Sequence, residues 1–210
     1  MHPQFKKDMQ ERISIKSHEL FMLYGIRSVS MDEIANHLGM SKKTIYQYYK
    51  DKDALVEGVI DIEIQKHHDE FSRYAAISEN AIHEIFLALD TAQEMFKHMN
   101  PSVMFDLQKY HSNAFEKFRT HKNTFFYDIT KANIERGKAE GMFRKELNVD
   151  VLTRLRLANM FLMFDFEHFP SNKFTAIEII TETTDNFLHG LATQSGLKVI
   201  EQYKQERKNK

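Results

Sequence analysis

A chain of 210 residues with 42% hydrophobic content, 17 Phe and 11 Met can fill a substantial core, and its lack of Cys excludes disulfides, thiolate metal sites and cysteine nucleophiles. No window reaches the ~18 apolar residues that a membrane span needs, and the opening MHPQFKKDMQER has no apolar stretch behind its basic residues, so a soluble, unprocessed, cytoplasmic protein is expected. The net charge of −1 hides an uneven spread: residues 1–53 hold nine Lys/Arg against seven Asp/Glu, a surplus of +2 that leaves −3 for the remainder and directs one end toward phosphate.

With seven Gly, three Pro and no strict apolar alternation, the sequence predicts an all-α chain of about nine helices. They are expected at 5–24, 31–38, 42–49, 53–75, 79–98, 101–111, 113–140, 149–168 and 173–194. Ser30, Ser41, Asp51, Ser78, Asn100, Asn148 and Ser171 offer short side-chain oxygens as N-caps. Gly25, Gly39, Gly141 and Gly196 offer left-handed stops. Pro3 falls in the tail, Pro101 in a first turn and Pro170 between two apolar segments, while the final EQYKQERKNK reads as a frayed end. The three short N-terminal helices predict one compact domain over 1–52, and the longer ones a second helical domain over 53–210, which segment 53–75 enters as a helix rather than a loop.

The stretch MDEIANHLGMSKKTIYQYY carries the functional signal. Ala35, Gly39 and Ile45 stand at relative positions 0, +4 and +10, which suits a helix-turn-helix: a small residue where two helices touch, a Gly at the corner and a branched apolar residue facing inward. Ile34, Leu38 and Met40 complete the small core, and Ile45 and Tyr49, four apart, share the buried stripe of the second helix. Lys42, Lys43, Thr44, Tyr46 and Gln47 are left outside, with side chains that suit phosphates and base edges. Ser30 and Ser41 open helices whose free N–H groups favour a phosphate, and Lys52 stands at the start of the fourth helix as a third anchor.

Over residues 13–60, ISIKSHELFMLYGIRSVSMDEIANHLGMSKKTIYQYYKDKDALVEGVI, the chain resembles the TetR family of bacterial repressors. The resemblance implies that three N-terminal helices bind DNA, that C-terminal helices dimerise and enclose an effector pocket, and that the effector releases the operator. Carried over by position, it implies base or groove contacts at Lys42, Lys43, Thr44 and Tyr46 and phosphate contacts at Ser30, Tyr48 and Lys52. Ser30 stands where the family usually has Thr, Tyr48 where His is frequent and Lys43 where small residues are common, so no relative's base preference transfers. The phrase ERGKAEGMFRKEL is similar to the end of the family's seventh helix and the entry to its eighth.

Segment 149–169 is apolar on nearly every side and therefore needs covering on both. Leu152, Leu155, Met160 and Phe164, with Ile177, Ile180 and Phe187 on the next helix, are candidates for a four-helix homodimer interface. Such a dimer suits a pseudo-palindromic double-stranded DNA operator. Met95, Phe96, Phe105, Tyr110 and Phe126 are candidates to line a pocket for an apolar or amphipathic effector, against the plainer reading of core packing. No His pair lies four apart, and Asp165-Phe-Glu-His168 has no second Glu-x-x-His to complete a di-iron bundle. The expected protein is thus a ligand-responsive repressor without catalytic residues, metal or cofactor. A helix-turn-helix protein of nucleoid or division control and a carboxylate-metal enzyme stand as alternatives. Repression against activation depends on where the operator lies.

Overall fold

The structure, a computed structural model, describes residues 3–208. In chain order its α-helices are α1 (Pro3–Tyr24), α2 (Met31–Leu38), α3 (Lys42–Tyr46), α4 (Lys52–Ile77), α5 (Ala81–Lys97), α6 (Ser102–Tyr110), α7 (Ser112–His121), α8 (Tyr127–Ala139), α9 (Val149–Asn159), α10 (Ala176–Leu191) and α11 (Gln194–Lys208). A π-helical turn, Lys122–Phe126, joins α7 to α8, and a 3-10 turn, Leu162–Phe164, follows α9. Among the described residues no strand forms; Phe143 and Ala192 share an isolated bridge. The all-α expectation therefore holds, but the expected helix 113–140 is broken by the π turn into α7 and α8, the expected helix 149–168 ends at Asn159, and α11 is added.

Two compact units divide the chain, one from residues 1–68 and 98–121, the other from 69–97 and 122–210. The first is larger than the 1–52 stretch, because Leu55, Val56 and Val59 of α4, Leu107 of α6 and Ala114 of α7 share one core with Ile13, Leu20, Phe21, Ile34, Ala35 and Ile45. A five-residue helix such as α3 is too short to persist alone. Ile45, fully buried, holds it with a contribution of about 1.5–3 kcal/mol. Gly25 ends α1 at φ +85, and beyond it the buried Asp106 accepts from the Arg27 N–H at 2.9 Å.

The second unit packs α5, α8, α10 and α11 around Ile82, Phe86, Leu89, Ile134, Phe143, Leu188, Leu191 and Ile200. Several boundaries differ from the sequence expectation. The cap before α5 is Asn80, whose Oδ1 accepts from the His83 N–H at 2.9 Å. Ser78 is turned inward to accept from Arg136 at 2.7 Å. Thr175, not Ser171, opens α10, in a capping box with Glu178. Gly196 lies inside α11, where its missing Cβ lets the helix approach the Met142 carbonyl. Pro3 begins α1, and residues up to Lys208 continue α11 rather than fraying, with Tyr203 buried and Arg207 donating to Gln93 at 3.0 Å. The last two residues of the expected frayed tail, 209–210, lie outside the described residues.

Candidate functional site

The helix-turn-helix is built as its spacing demands. Ser30 caps α2, accepting from the Glu33 N–H at 3.2 Å, while Glu33 Oε2 accepts from the Ser30 N–H at 2.6 Å. At the corner Gly39 sits at φ +65, a left-handed conformation that other residues adopt only with strain, and its N–H donates to Asn36 O at 3.1 Å. Ser41 then caps α3 by accepting from the Thr44 N–H at 3.1 Å. Ala35 and Ile45 are buried at the seam, and Tyr49 is buried with its hydroxyl 2.6 Å from Ser14 Oγ and donating to Gln10 O at 3.2 Å. Burial raises the Tyr49 pKa, so this phenol keeps its proton and anchors the motif to α1.

The outer face of α3 carries Lys42, Lys43 and Tyr46, all exposed, with Tyr46 at 43%, and Thr44 partly exposed with its hydroxyl 2.8 Å from that of Ser41. Asp32, at the second position of α2, holds Lys42 Nζ at 2.7 Å, and this hydrogen bond raises the lysine pKa. Sequence reasoning missed Asp32, although an acidic first turn facing a lysine across the corner was there to be seen. Tyr48 is half-buried against the first core, and its carbonyl accepts from Gln10 Nε2 at 3.4 Å.

Lys52 is placed otherwise than a phosphate anchor would be. Its ammonium donates to Ile26 O and Val29 O, both at 2.6 Å, and approaches Arg27 O at 3.4 Å. Burial lowers its pKa, although Asp106, Glu33 and Asp53 pull the other way. The Ser30 helix start is likewise occupied by the Glu33 carboxylate, whose own pKa falls because it accepts from the Ser30 backbone.

A cavity with about 490 Å³ of empty space, part of it open to solvent, lies within the second unit. Phe71, Ile85, Ala88, Phe126, Ile129, Met160 and Phe187 give it apolar walls, and Glu84, Thr130, Asn133 and Arg156 add polar groups. Of the five expected pocket residues only Phe126 is there. Met95 is partly exposed, Phe96 packs against Phe164 with ring centroids 5.9 Å apart, and Phe105 and Tyr110 are exposed side chains of the first unit. The π turn explains the placing of Phe126: one extra residue per turn sets both Phe125 and Phe126 edge-on to Phe71, at 6.1 and 5.5 Å.

The interface expectation is also redrawn. Ile180 and Phe187 are core residues, 5% and 6% exposed, and Phe187 and Met160 face the cavity. Leu152 and Phe164 are partly buried against the second core, and Ile177 is partly exposed. On α9 an apolar stripe of Val151, Leu155 and Ala158 faces outward, with Val151 57% and Leu155 48% exposed. The lone Asp165–His168 pair closes on itself in a surface turn, Nδ1 to carboxylate 2.9 Å. No helix among the described residues is long and apolar enough to cross a membrane.

A capped helix, a left-handed glycine corner and a short second helix bearing an exposed basic and aromatic face define a DNA-binding transcriptional regulator of the helix-turn-helix class. Residues 16–59 match the model of the bacterial regulatory proteins of the tetR family. An uncharacterised HTH-type transcriptional regulator of Bacillus subtilis, YvaF, is 26% identical over 187 residues, covering 87% of this chain and 95% of that protein. In fold, the chain is similar to a TetR-family regulator from Agrobacterium tumefaciens, with a TM-score of 0.73 at 13% identity over 90% of this chain and all of that one. It is similar also to a putative regulator from Saccharomonospora viridis in complex with choline, with a TM-score of 0.70 at 14% identity over the same shares. Residues 16–59 thus carry the DNA-binding region of the tetR family of bacterial regulatory proteins, and the whole chain is similar in fold to regulators of that family. Neither the nucleoid nor the carboxylate-metal alternative finds support among these relatives.

Proposed function

We propose that the protein represses transcription by binding a pseudo-palindromic operator as a homodimer, and that a small molecule in the cavity of the second unit weakens that binding. The observation that carries the DNA half is the division of α3 into a buried side, Ile45, and an exposed side, Lys42, Lys43 and Tyr46. The two lysines meet phosphate or guanine edges, Thr44 a base edge or thymine methyl, and Tyr46 a phosphate oxygen. Ser41 and Tyr48 border this face and position the backbone of the duplex. The apolar stripe on α9, with Ile177, supports pairing of two copies, since solvent-facing Val and Leu at helical spacing gain by being covered.

The effector half is supported by an apolar cavity with a few polar groups, and by α4, which runs unbroken through residues of both units. The choline complex of the Saccharomonospora relative lends weight to small-molecule binding. The test is operator affinity of Lys43→Ala and Tyr46→Ala, each checked for unaltered melting. Both side chains are exposed, so the account expects about a tenfold or greater loss of affinity with stability intact. Unchanged affinity in both variants would remove α3 from the interface.

A further inference from the structure

Arg156 is a cation set on the inner stripe of α9 with no anion to answer it. Its Nη1 donates to Thr184 Oγ1 at 3.0 Å and its guanidinium lies 5.1 Å from the Phe187 ring centroid. Among the described residues no carboxylate comes within ion-pair distance of it. The other charged group of the cavity, Glu84, is already neutralised by Arg136, Nη1 to carboxylate 3.0 Å, and Arg136 is fixed in turn by Glu140 and Ser78 at 2.7 Å each. Desolvation lowers the Arg156 pKa to about 10, which still leaves it charged at neutral pH. A guanidinium held among Phe126, Met160 and Phe187 carries part of its hydration cost unpaid by any fixed anion, and a carboxylate supplied from outside would satisfy the remaining N–H donors of its fork.

We propose that the cavity of the second unit binds a monocarboxylate with a compact apolar body, the carboxylate paired with Arg156 and the body packed on Phe71, Ile85, Phe126 and Ile129. Thr184 and the Phe187 ring hold the guanidinium in place, so the fork is oriented before the ligand arrives. A cationic ligand meets Arg156 as a like charge and finds Glu84 already engaged. The proposal rests on the effector reading for its regulatory meaning, and binding itself is measured apart from DNA release.

The experiment is calorimetric titration of the full chain with benzoate and hexanoate, their uncharged amides, and benzyltrimethylammonium. Each acid is expected to bind at least about tenfold more tightly than its amide, the ammonium not at all, and Arg156→Met to abolish the preference for acid over amide. Arg156→Lys, which keeps the charge and loses the fork, should retain part of it. The acid-to-amide comparison on the unaltered chain needs no variant, so a misfolded Arg156→Met does not decide the matter. Silence of both acids at millimolar concentration, equal binding of acid and amide, or a preference that survives in folded Arg156→Met overturns the proposal. Acids that bind through Arg156 yet leave operator affinity unchanged support the site and overturn the ligand-responsive reading instead.

Discussion

Single side chains decide how much of the basic face is available to DNA. Asp32 competes for Lys42, and both are exposed. Removing it by Asp32→Asn is expected to tighten operator binding by about two- to fivefold at low salt, because a solvent-exposed pair is weak and releases a cation readily. Mobility-shift titrations across a salt series check this, and weaker binding by the variant would mean that Asp32 orients Lys42 rather than withholding it. Lys52 makes the opposite case. Its carbonyl partners at Ile26 and Val29 predict that Lys52→Ala lowers unfolding stability by about 2 kcal/mol while the salt slope of DNA binding stays unaltered. A slope smaller by about one, with unchanged stability, would instead make the ammonium a phosphate contact. The motif residues Ala35, Gly39 and Ile45 were legible from spacing because each answers a local steric demand. Lys52 was not, since its partners lie 23 to 26 residues away. Arg156 left a readable trace that went unused: the positions three and four residues on either side of it are Leu152, Thr153, Asn159 and Met160, with no acid among them.

Helix α2 and the start of α3 fall where caps and glycine place them, although α3 ends at Tyr46 rather than 49 and leaves Tyr49 beyond it, whereas the elements of the second unit were read less well. The stretch after Asn148, apolar on nearly every side, holds no Gly or Pro until Pro170, yet α9 stops at Asn159, and Met163 in the turn that follows is buried in the second core. The box Thr175-x-x-Glu178 was a visible start signal for α10, and the sequence reading preferred the serine nearer the proline. Where α4 and α7 pass each other in the first unit, His67 Nδ1 lies 3.2 Å from His121 Nε2 with the rings stacked. Desolvation, helped by His121, Lys66, His68 and His18, holds the His67 pKa near 4. A folded-state value below the unfolded one means that stability is complete above pH 6.5 and is lost as the pH falls toward 4, by up to about 3 kcal/mol from this group. Denaturant unfolding of wild type and His67→Gln over that range should show a shallower acid loss in the variant. Parallel curves would show that the imidazole is not buried neutral.

For the molecule as a whole, the central claim is that two copies present α3 to one duplex. The sequence indicated a dimer through an apolar helix, but it assigned Ile180 and Phe187 to the interface when both are needed inside, because periodicity marks which residues avoid water and not which neighbour covers them. Val151 and Leu155 of α9, by contrast, are exposed and open to a partner. The most direct measurement is selection of bound fragments from random double-stranded DNA by the purified full chain. The account predicts enrichment of a pseudo-palindrome whose half-sites are centred about one duplex turn, ~34–36 Å, or a multiple of it apart, with the enrichment lost in a Lys43→Ala, Tyr46→Ala double variant. A single unrepeated site, no enriched sequence, or a palindrome still selected by the double variant would contradict it.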